Sequence, residues 1–189
     1  MSRIYLIRHG KPSATWGGHD DDPGLDELGQ AQARKAAEAL MALPQNERPT
    51  RVVSSPLRRC RETAQPLADA LGVPVEIDPL VGEIPTPSGL TAAERGPWLR
   101  TVFAGRWKDV EGDLDYDAWR ADVAAAVAAR ERAAVFSHFV AINAVLTKLA
   151  ELEEVMTFRP DHASISVFEI GDGGLALVER GPEAQTGVL

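Results

Sequence analysis

Residues 4–10 read Ile4-Tyr5-Leu6-Ile7-Arg8-His9-Gly10. Four consecutive apolar side chains, closed by two basic residues and a glycine, suit a short strand buried on both faces that stops at a turn. Such strands belong to parallel sheets covered by helices, and the neighbouring segments supply the cover. Residues 30–43 place Ala33, Ala36, Ala37, Leu40 and Leu43 on one stripe, the pattern of an amphipathic helix. Residues 51–54 read as a second strand. Ser55-Pro56 then predicts an N-cap followed by proline in the first helical turn. The helix after it carries Cys60, Ala64, Leu67 and Leu71 on one face and ends at Gly72.

Farther along, residues 73–77 read as a third strand. Residues 79–115 hold Pro79, Pro85, Pro87, Gly82, Gly89, Gly96, Pro97, Trp98 and Trp107, and helical periodicity breaks there. That stretch is too short for a core of its own and is expected to be an excursion or cap. A helix over 116–130, a buried strand over 133–137 and a helix over 140–152 follow, the last with Ile142, Val145, Leu149 and Leu152 inward. Strands over 164–170 and 175–179, joined by Gly171-Asp172-Gly173-Gly174, predict a closing hairpin. The sum is one α/β domain over residues 1–189, a three-layer α/β/α sandwich whose sheet is mostly parallel with an antiparallel edge.

Composition narrows the function. The chain has 189 residues, 44% hydrophobic and 25% charged, with a formal charge of −8. That is an ordinary globular composition, not a disordered or fibrous one. The acidic balance argues against nucleic acid and against an anionic membrane surface as partners. No apolar run is long enough to span a bilayer. The single cysteine, Cys60, leaves no internal disulfide framework and no thiolate metal cluster. The first ten residues lack the pattern of a secretory signal, so the expected location is cytoplasmic.

Ligands of open α/β sheets gather beyond the carboxyl ends of the strands. Three of those ends carry basic groups: Arg8-His9-Gly10, then Ser54-Ser55 with Arg58, Arg59 and Arg61, then Ser137-His138. Five arginines and no acid lie from Arg48 to Arg61, in an acidic chain. Guanidinium forks and helix N-termini both suit phosphate. A histidine among cations is held neutral and keeps a free ring nitrogen for attack. Gly10 leaves room for a ligand beside the backbone. Taken singly, each feature has a plainer reading: a capping histidine, a solvated arginine face, an Arg58–Glu62 surface pair. Together at three strand ends they point to one phosphoryl-transfer pocket.

These segments resemble the signatures of the histidine phosphatase superfamily, the phosphoglycerate-mutase-like fold. Leu6-Ile7-Arg8-His9-Gly10 is similar to its first block. Gly24-Leu25-Asp26-Glu27-Leu28-Gly29-Gln30-Ala31-Gln32-Ala33 is similar to the leucine–threonine–x–x–glycine–x–x–glutamine–alanine segment. Ser54-Ser55-Pro56-Leu57-Arg58-Arg59-Cys60-Arg61-Glu62-Thr63-Ala64 resembles the second signature, and Ser137-His138 the second histidine block. The resemblance implies that His9 attacks phosphorus and becomes a phosphohistidine. It implies that Arg8, Arg59 and His138 hold the phosphoryl oxygens, and that a carboxylic acid serves the leaving oxygen and then water. Glu83 in Leu80-Val81-Gly82-Glu83-Ile84 matches best, with Asp78 and Glu94 as competitors. No metal or other cofactor is implied.

The chain also departs from the family pattern. Lys11-Pro12 follows Arg-His-Gly where many members carry glutamate. Thr15 stands near a phosphate-touching asparagine position, and Phe139 replaces a usual glycine, where it could line or narrow the pocket. His162, just before a strand, is a further candidate for the pocket. Residues 84–115 do not match the mutase pattern, which favours hydrolysis of a phosphorylated small molecule or phosphoprotein over a glycolytic mutase. A non-catalytic phospholigand-binding protein is the remaining alternative. His19-Asp20-Asp21-Asp22 offers possible hard-metal ligands but reads more simply as a solvated acidic loop. Trp98, Trp107 and Trp119 read as packing rather than as a substrate cleft, and Cys60 reads as helix packing.

Overall fold

The computed structural model of the protein describes residues 2–14 and 22–185. Its centre is a six-stranded sheet in the order β3-β2-β4-β1-β5-β6. β1 (Ser2–Arg8), β2 (Arg51–Ser54), β3 (Val75–Ile77) and β4 (Ala133–Ser137) run parallel. β5 (Ile165–Gly171) pairs antiparallel with β1, and β6 (Gly174–Glu179) with β5. The antiparallel edge is therefore the two-stranded hairpin expected from the glycine-rich 171–174 segment.

Period-two alternation sends the strand side chains into two cores. Ile4 and Leu6 of β1 join Ala133 and Val135 of β4 on one face, against α4 (Tyr116–Ala128) and α5 (Phe139–Leu149). Tyr5, Ile7, Ala134 and Phe136 join the other face, against α1 (Glu27–Met41) and α2 (Arg58–Leu71). Helices on both faces of the sheet make the three layers. Among the described residues no helix is long and apolar enough to cross a membrane.

Several expectations are corrected. α1 starts at Glu27, because Asp26 accepts a hydrogen bond from the Gly29 N–H and caps it. α2 starts at Arg58, with Leu57 as a cap that has no side-chain bond, so Ser55-Pro56 precedes the helix. Gly72 does close α2, in the left-handed conformation (φ 67°). Residues 79–115 are less irregular than their prolines suggest. They hold α3 (Ala92–Ala104), started by a Thr91–Glu94 capping box strong enough to launch a helix across Gly96 and Pro97. Leu149 and Leu152, expected inward, are 36% and 38% exposed, because α5 ends at Leu149 and the chain turns away. Trp107 is core: its indole N–H donates to Thr147 at 2.8 Å. Trp98 packs at a tilt against Tyr116, and Trp119 against Trp107.

Gly10 answers to packing, not to an open space. A Cβ there would lie 2.7 Å from the Gly29 carbonyl oxygen, and one on Gly29 would run into the Lys11 carbonyl. The first turn of α1 thus lies directly on the backbone after His9. Gly29→Ala is expected to destabilise the protein by about 1–3 kcal/mol, because neither backbone can retreat. Urea unfolding measures this, and a Gln30→Ala control should change little.

Candidate active site

The carboxyl ends of the four parallel strands share one rim. β1 delivers Arg8 and His9, and β2 delivers Ser54 and Ser55, with Arg59 in the first turn of α2. β4 delivers Ser137 and His138. The one-turn helix Pro79–Val81 after β3 leads to Glu83. Backbone bonds lock these ends together: His9 N–H to the Ser137 carbonyl at 3.0 Å, Ser55 N–H to that of Phe136 at 3.0 Å. The turn before β5 closes the other side, with Ala163 N–H donating to the His9 carbonyl at 3.2 Å. Ala163 is left-handed (φ 56°), which costs a non-glycine residue about 1 kcal/mol.

His9 is 5% exposed, and its Nδ1 lies 2.8 Å from the Gly10 carbonyl oxygen. A carbonyl only accepts, so Nδ1 carries the proton and Nε2 keeps a bare lone pair. Burial, then His138, Arg59 and Arg8, hold His9 well below the usual histidine range, so the ring stays neutral. The His138 and His162 rings lie 5.3 and 5.8 Å from that of His9. His162 is brought down to about 4, by burial and then Arg8.

Arg8 is 6% exposed and brought down to about 10, chiefly by burial. Its guanidinium donates to the Pro160 carbonyl at 2.9 Å and lies over the Phe139 ring, 5.3 Å from the centroid. Its buried Nε has no hydrogen-bond partner among the described residues. Phe139 in turn packs on Phe103 of α3, so it joins the cap helix to this arginine. Arg59, also 6% exposed, points Nη2 at His138 Nδ1, 3.2 Å away.

Of the five arginines read as one patch, only Arg59 is buried at this rim. Arg51 pairs with Glu76, Arg58 with Glu62, and Arg48 donates to the Leu43 carbonyl. Folding brings an acid from elsewhere to one of them, Arg51, while Arg58 meets the acid one helical turn on.

The three candidate acids separate clearly. Asp78 caps the 79–81 turn and is paired with Arg130 at 2.5 Å. Glu94 is committed to the capping box of α3. Glu83 alone faces the histidines: its Oε2 is 3.6 Å from His138 Nδ1, too long for a hydrogen bond. Burial raises its carboxyl above the usual range, against the opposing pull of Arg59 and Arg8. Burial thus pushes the Glu83 carboxyl up and the His138 ring down, so it works against an ion pair between them.

Thr15 lies outside the described residues, as do His19, Asp20 and Asp21. Asp22 accepts from the Arg58 N–H at 2.8 Å, at the start of α2. Sequence reading missed the supports of the site. The Gly10 N–H donates to Thr63 Oγ1 at 2.9 Å, and the Thr63 hydroxyl donates to the Arg59 carbonyl at 2.6 Å, which ties the two basic loops. Ser55, read as a cap, lies 2.8 Å from His138 Nε2, and Cys60, read as packing, is 3.3 Å from the same atom. The one available signal was their place inside the second signature, close in sequence to Arg59.

Lowered histidines make stability depend on pH. Unfolded chains bind their protons below about pH 6.5, whereas the folded site does not. The stability they contribute is fully present above that pH and is lost as pH falls toward 4. The urea midpoint is expected to drop over this window, less steeply in His162→Asn. Glu83 has the opposite sign: its raised carboxyl costs stability as pH climbs above 4.5. Glu83→Gln should therefore leave the histidine slope cleaner.

Among known proteins, the model of the histidine phosphatase superfamily (branch 1) matches residues 4–181. The probable phosphoglycerate mutase GpmB of Enterobacter sp. (strain 638) is 33% identical over 118 residues, 56% of this chain and 51% of that protein. The transcription factor tau 55 kDa subunit of Saccharomyces cerevisiae is 34% identical over 108 residues, 47% of this chain and 24% of that protein. The chain thus spans between about a quarter and a half of these curated relatives. Among solved structures, the mycobacterial glucosyl-3-phosphoglycerate phosphatase is 25% identical with a TM-score of 0.72, over 97% of this chain and 100% of that one. The phosphoserine phosphatase of Entamoeba histolytica, 22% identical with a TM-score of 0.75 over 98% of each chain, shares the fold.

Proposed function

The chain belongs to the histidine phosphatase superfamily, and from that premise we propose that it is a metal-independent phosphomonoester hydrolase working through a phosphohistidine on His9. The observation that carries this reading is a bare His9 Nε2 beside two buried guanidiniums and a carboxyl that burial raises above its usual range. His9 Nε2 attacks phosphorus, and the P–O bond to the leaving group breaks. Glu83 gives its proton to the departing oxygen and becomes a carboxylate. Water then attacks the phosphohistidine, Glu83 takes back a proton, and phosphate leaves with His9 restored. Arg8, Arg59 and His138 hold the three equatorial oxygens, whose charge the guanidiniums balance without a cation. The substrate is a phosphorylated small molecule, in keeping with the glucosyl-3-phosphoglycerate phosphatase that the whole chain resembles.

A mutase is the second reading, favoured by the identity to probable phosphoglycerate mutases over half the chain. The two differ in where the phosphoryl group goes. The test is phosphate release from an aryl phosphate and from a panel of phosphorylated hydroxy acids, sugars and nucleotides, with and without EDTA. Release that survives EDTA is the expected result. Transfer between hydroxyls of a phosphoglycerate without net release would establish the mutase. Binding of phosphate without turnover of any compound would leave a phospholigand-binding protein, and loss of release in EDTA would overturn the metal-independent mechanism.

A further inference from the structure

Two contacts hold the Arg8 guanidinium, and they constrain it in different ways. Its Nη1–H donates to the Pro160 carbonyl at 2.9 Å, and its flat face lies over the Phe139 ring, 5.3 Å from the centroid. Every donor of a guanidinium lies in its plane. A single hydrogen bond leaves that plane free to turn about the bond axis, and the remaining N–H groups turn with it. A ring laid against the face removes that freedom.

A carboxylate in place of the ring would hold Arg8 too, but it would occupy N–H donors and balance the charge that a phosphoryl group needs. The face of a benzene ring attracts a cation without doing either. Arg8 is 6% exposed and Phe139 4% exposed, so water screens the contact little. Burial brings Arg8 down, Glu83 and Asp161 pull it up and Arg59 opposes them, which leaves it at about 10, a cation at neutral pH.

The Phe139 ring is held in turn. Phe139 opens α5 directly after the cap residue His138, and its ring meets Phe103 of α3 at 5.2 Å between centroids, tilted by 48°. That separation suits an attractive aromatic pair. Leu99 and Val102 of the same helix are buried in the core, so α3 is seated on the body of the molecule beside this pair. Contacts thus run from the cap helix to the guanidinium, Phe103 on Phe139 and Phe139 on Arg8.

We propose, on the reading that Arg8 holds a phosphoryl oxygen, that Phe139 is a positioning residue which sets the plane of the Arg8 guanidinium, and that Phe103 of α3 acts on the phosphate site through it. The acting feature is the face of the Phe139 ring, not its bulk. Residues 79–115 then serve the phosphate site by packing as well as through Glu83.

Calorimetric titration of the whole protein with inorganic phosphate tests this. Fluorination of the ring at position 139 keeps the shape of the side chain and drains its negative face. Phosphate affinity should fall stepwise from phenylalanine through the monofluoro to the trifluoro ring. Phe139→Leu, which removes the face altogether, should weaken phosphate binding about 2–30-fold, the span of cation–π contacts from exposed to buried sites. Phe103→Leu should weaken it about twofold to threefold and add little once Phe139 is leucine, because the two act in series. In an Arg8→Gln background the fluorine series and Phe139→Leu should no longer matter, whereas a loss caused by disturbing the adjacent His138 would persist there. Affinity that ignores fluorination, or a Phe139→Leu loss of equal size in the Arg8→Gln background, would overturn this proposal and leave the functional reading standing. Full additivity of Phe103→Leu and Phe139→Leu would overturn the part assigned to Phe103. Unchanged phosphate affinity in Arg8→Gln, or no binding by the wild type, would overturn both the proposal and the functional reading beneath it.

Discussion

His9→Ala is expected to lower phosphate release by at least about 10⁴-fold, the scale on which nucleophiles are lost in covalent catalysis. No neighbour can substitute. The His138 ring is 5.3 Å away, but its outward nitrogen is occupied by Arg59 and its other nitrogen is buried on Ser55. His162 approaches from the opposite turn, at 5.8 Å. The fold should survive, because the His9 backbone makes the structural bonds, to Ser137 and from Ala163. Arg8, Arg59 and His138 remain, so phosphate should still bind. A second readout is independent of turnover: acid-labile, alkali-stable labelling from a phosphorus-labelled substrate, present in wild type and absent in His9→Ala. Labelling that persists in the variant would place the nucleophile elsewhere.

Glu83→Gln is expected to lower kcat by about 10²–10⁴-fold on alkyl phosphates, the usual contribution of a positioned general acid. The loss should be much smaller on an aryl phosphate, whose leaving oxygen needs little protonation. This contrast separates loss of a proton donor from general damage to the site. The pH profile gives the same assignment from another direction. Glu83 must hold its proton to act, and burial raises its carboxyl. Wild-type rates on alkyl phosphates should therefore persist above the ordinary carboxylate range and fall once pH passes the raised value. That alkaline limb should vanish in Glu83→Gln. Equal losses on both substrate types would remove Glu83 from the acid role and return attention to residues 84–115.

Much of this site is legible in the sequence because the chemistry sits at strand ends. A buried strand reads as an apolar run, as residues 4–7 and 133–136 do, and the parallel topology places the residues after each run at the rim. That is why Arg8, His9, Arg59 and His138 could be named together from one-dimensional information. The helices over residues 27–41, 58–71 and 139–149 were legible for the same reason, as local periodicity. Their ends were less so, because caps depend on single side chains such as Asp26 and Leu57.

Tertiary structure decided the rest, and each case involves partners far apart in the chain. Asp78 competes with Glu83 as a candidate acid in the sequence, and in the fold Arg130, 52 residues away, occupies it. The run of arginines from 48 to 61 looked like one positive patch until Glu76 neutralised part of it. Gly10 looked like space for a ligand until Gly29 was found against it. The groups around the His138 ring, Ser55, Cys60, Arg59 and Glu83, all lie far from it in the chain. Periodicity and turn chemistry are set by neighbours in sequence, so the chain carries them openly. Which charge meets which, and which nitrogen is left bare, is set by packing between distant segments, and no local pattern records it.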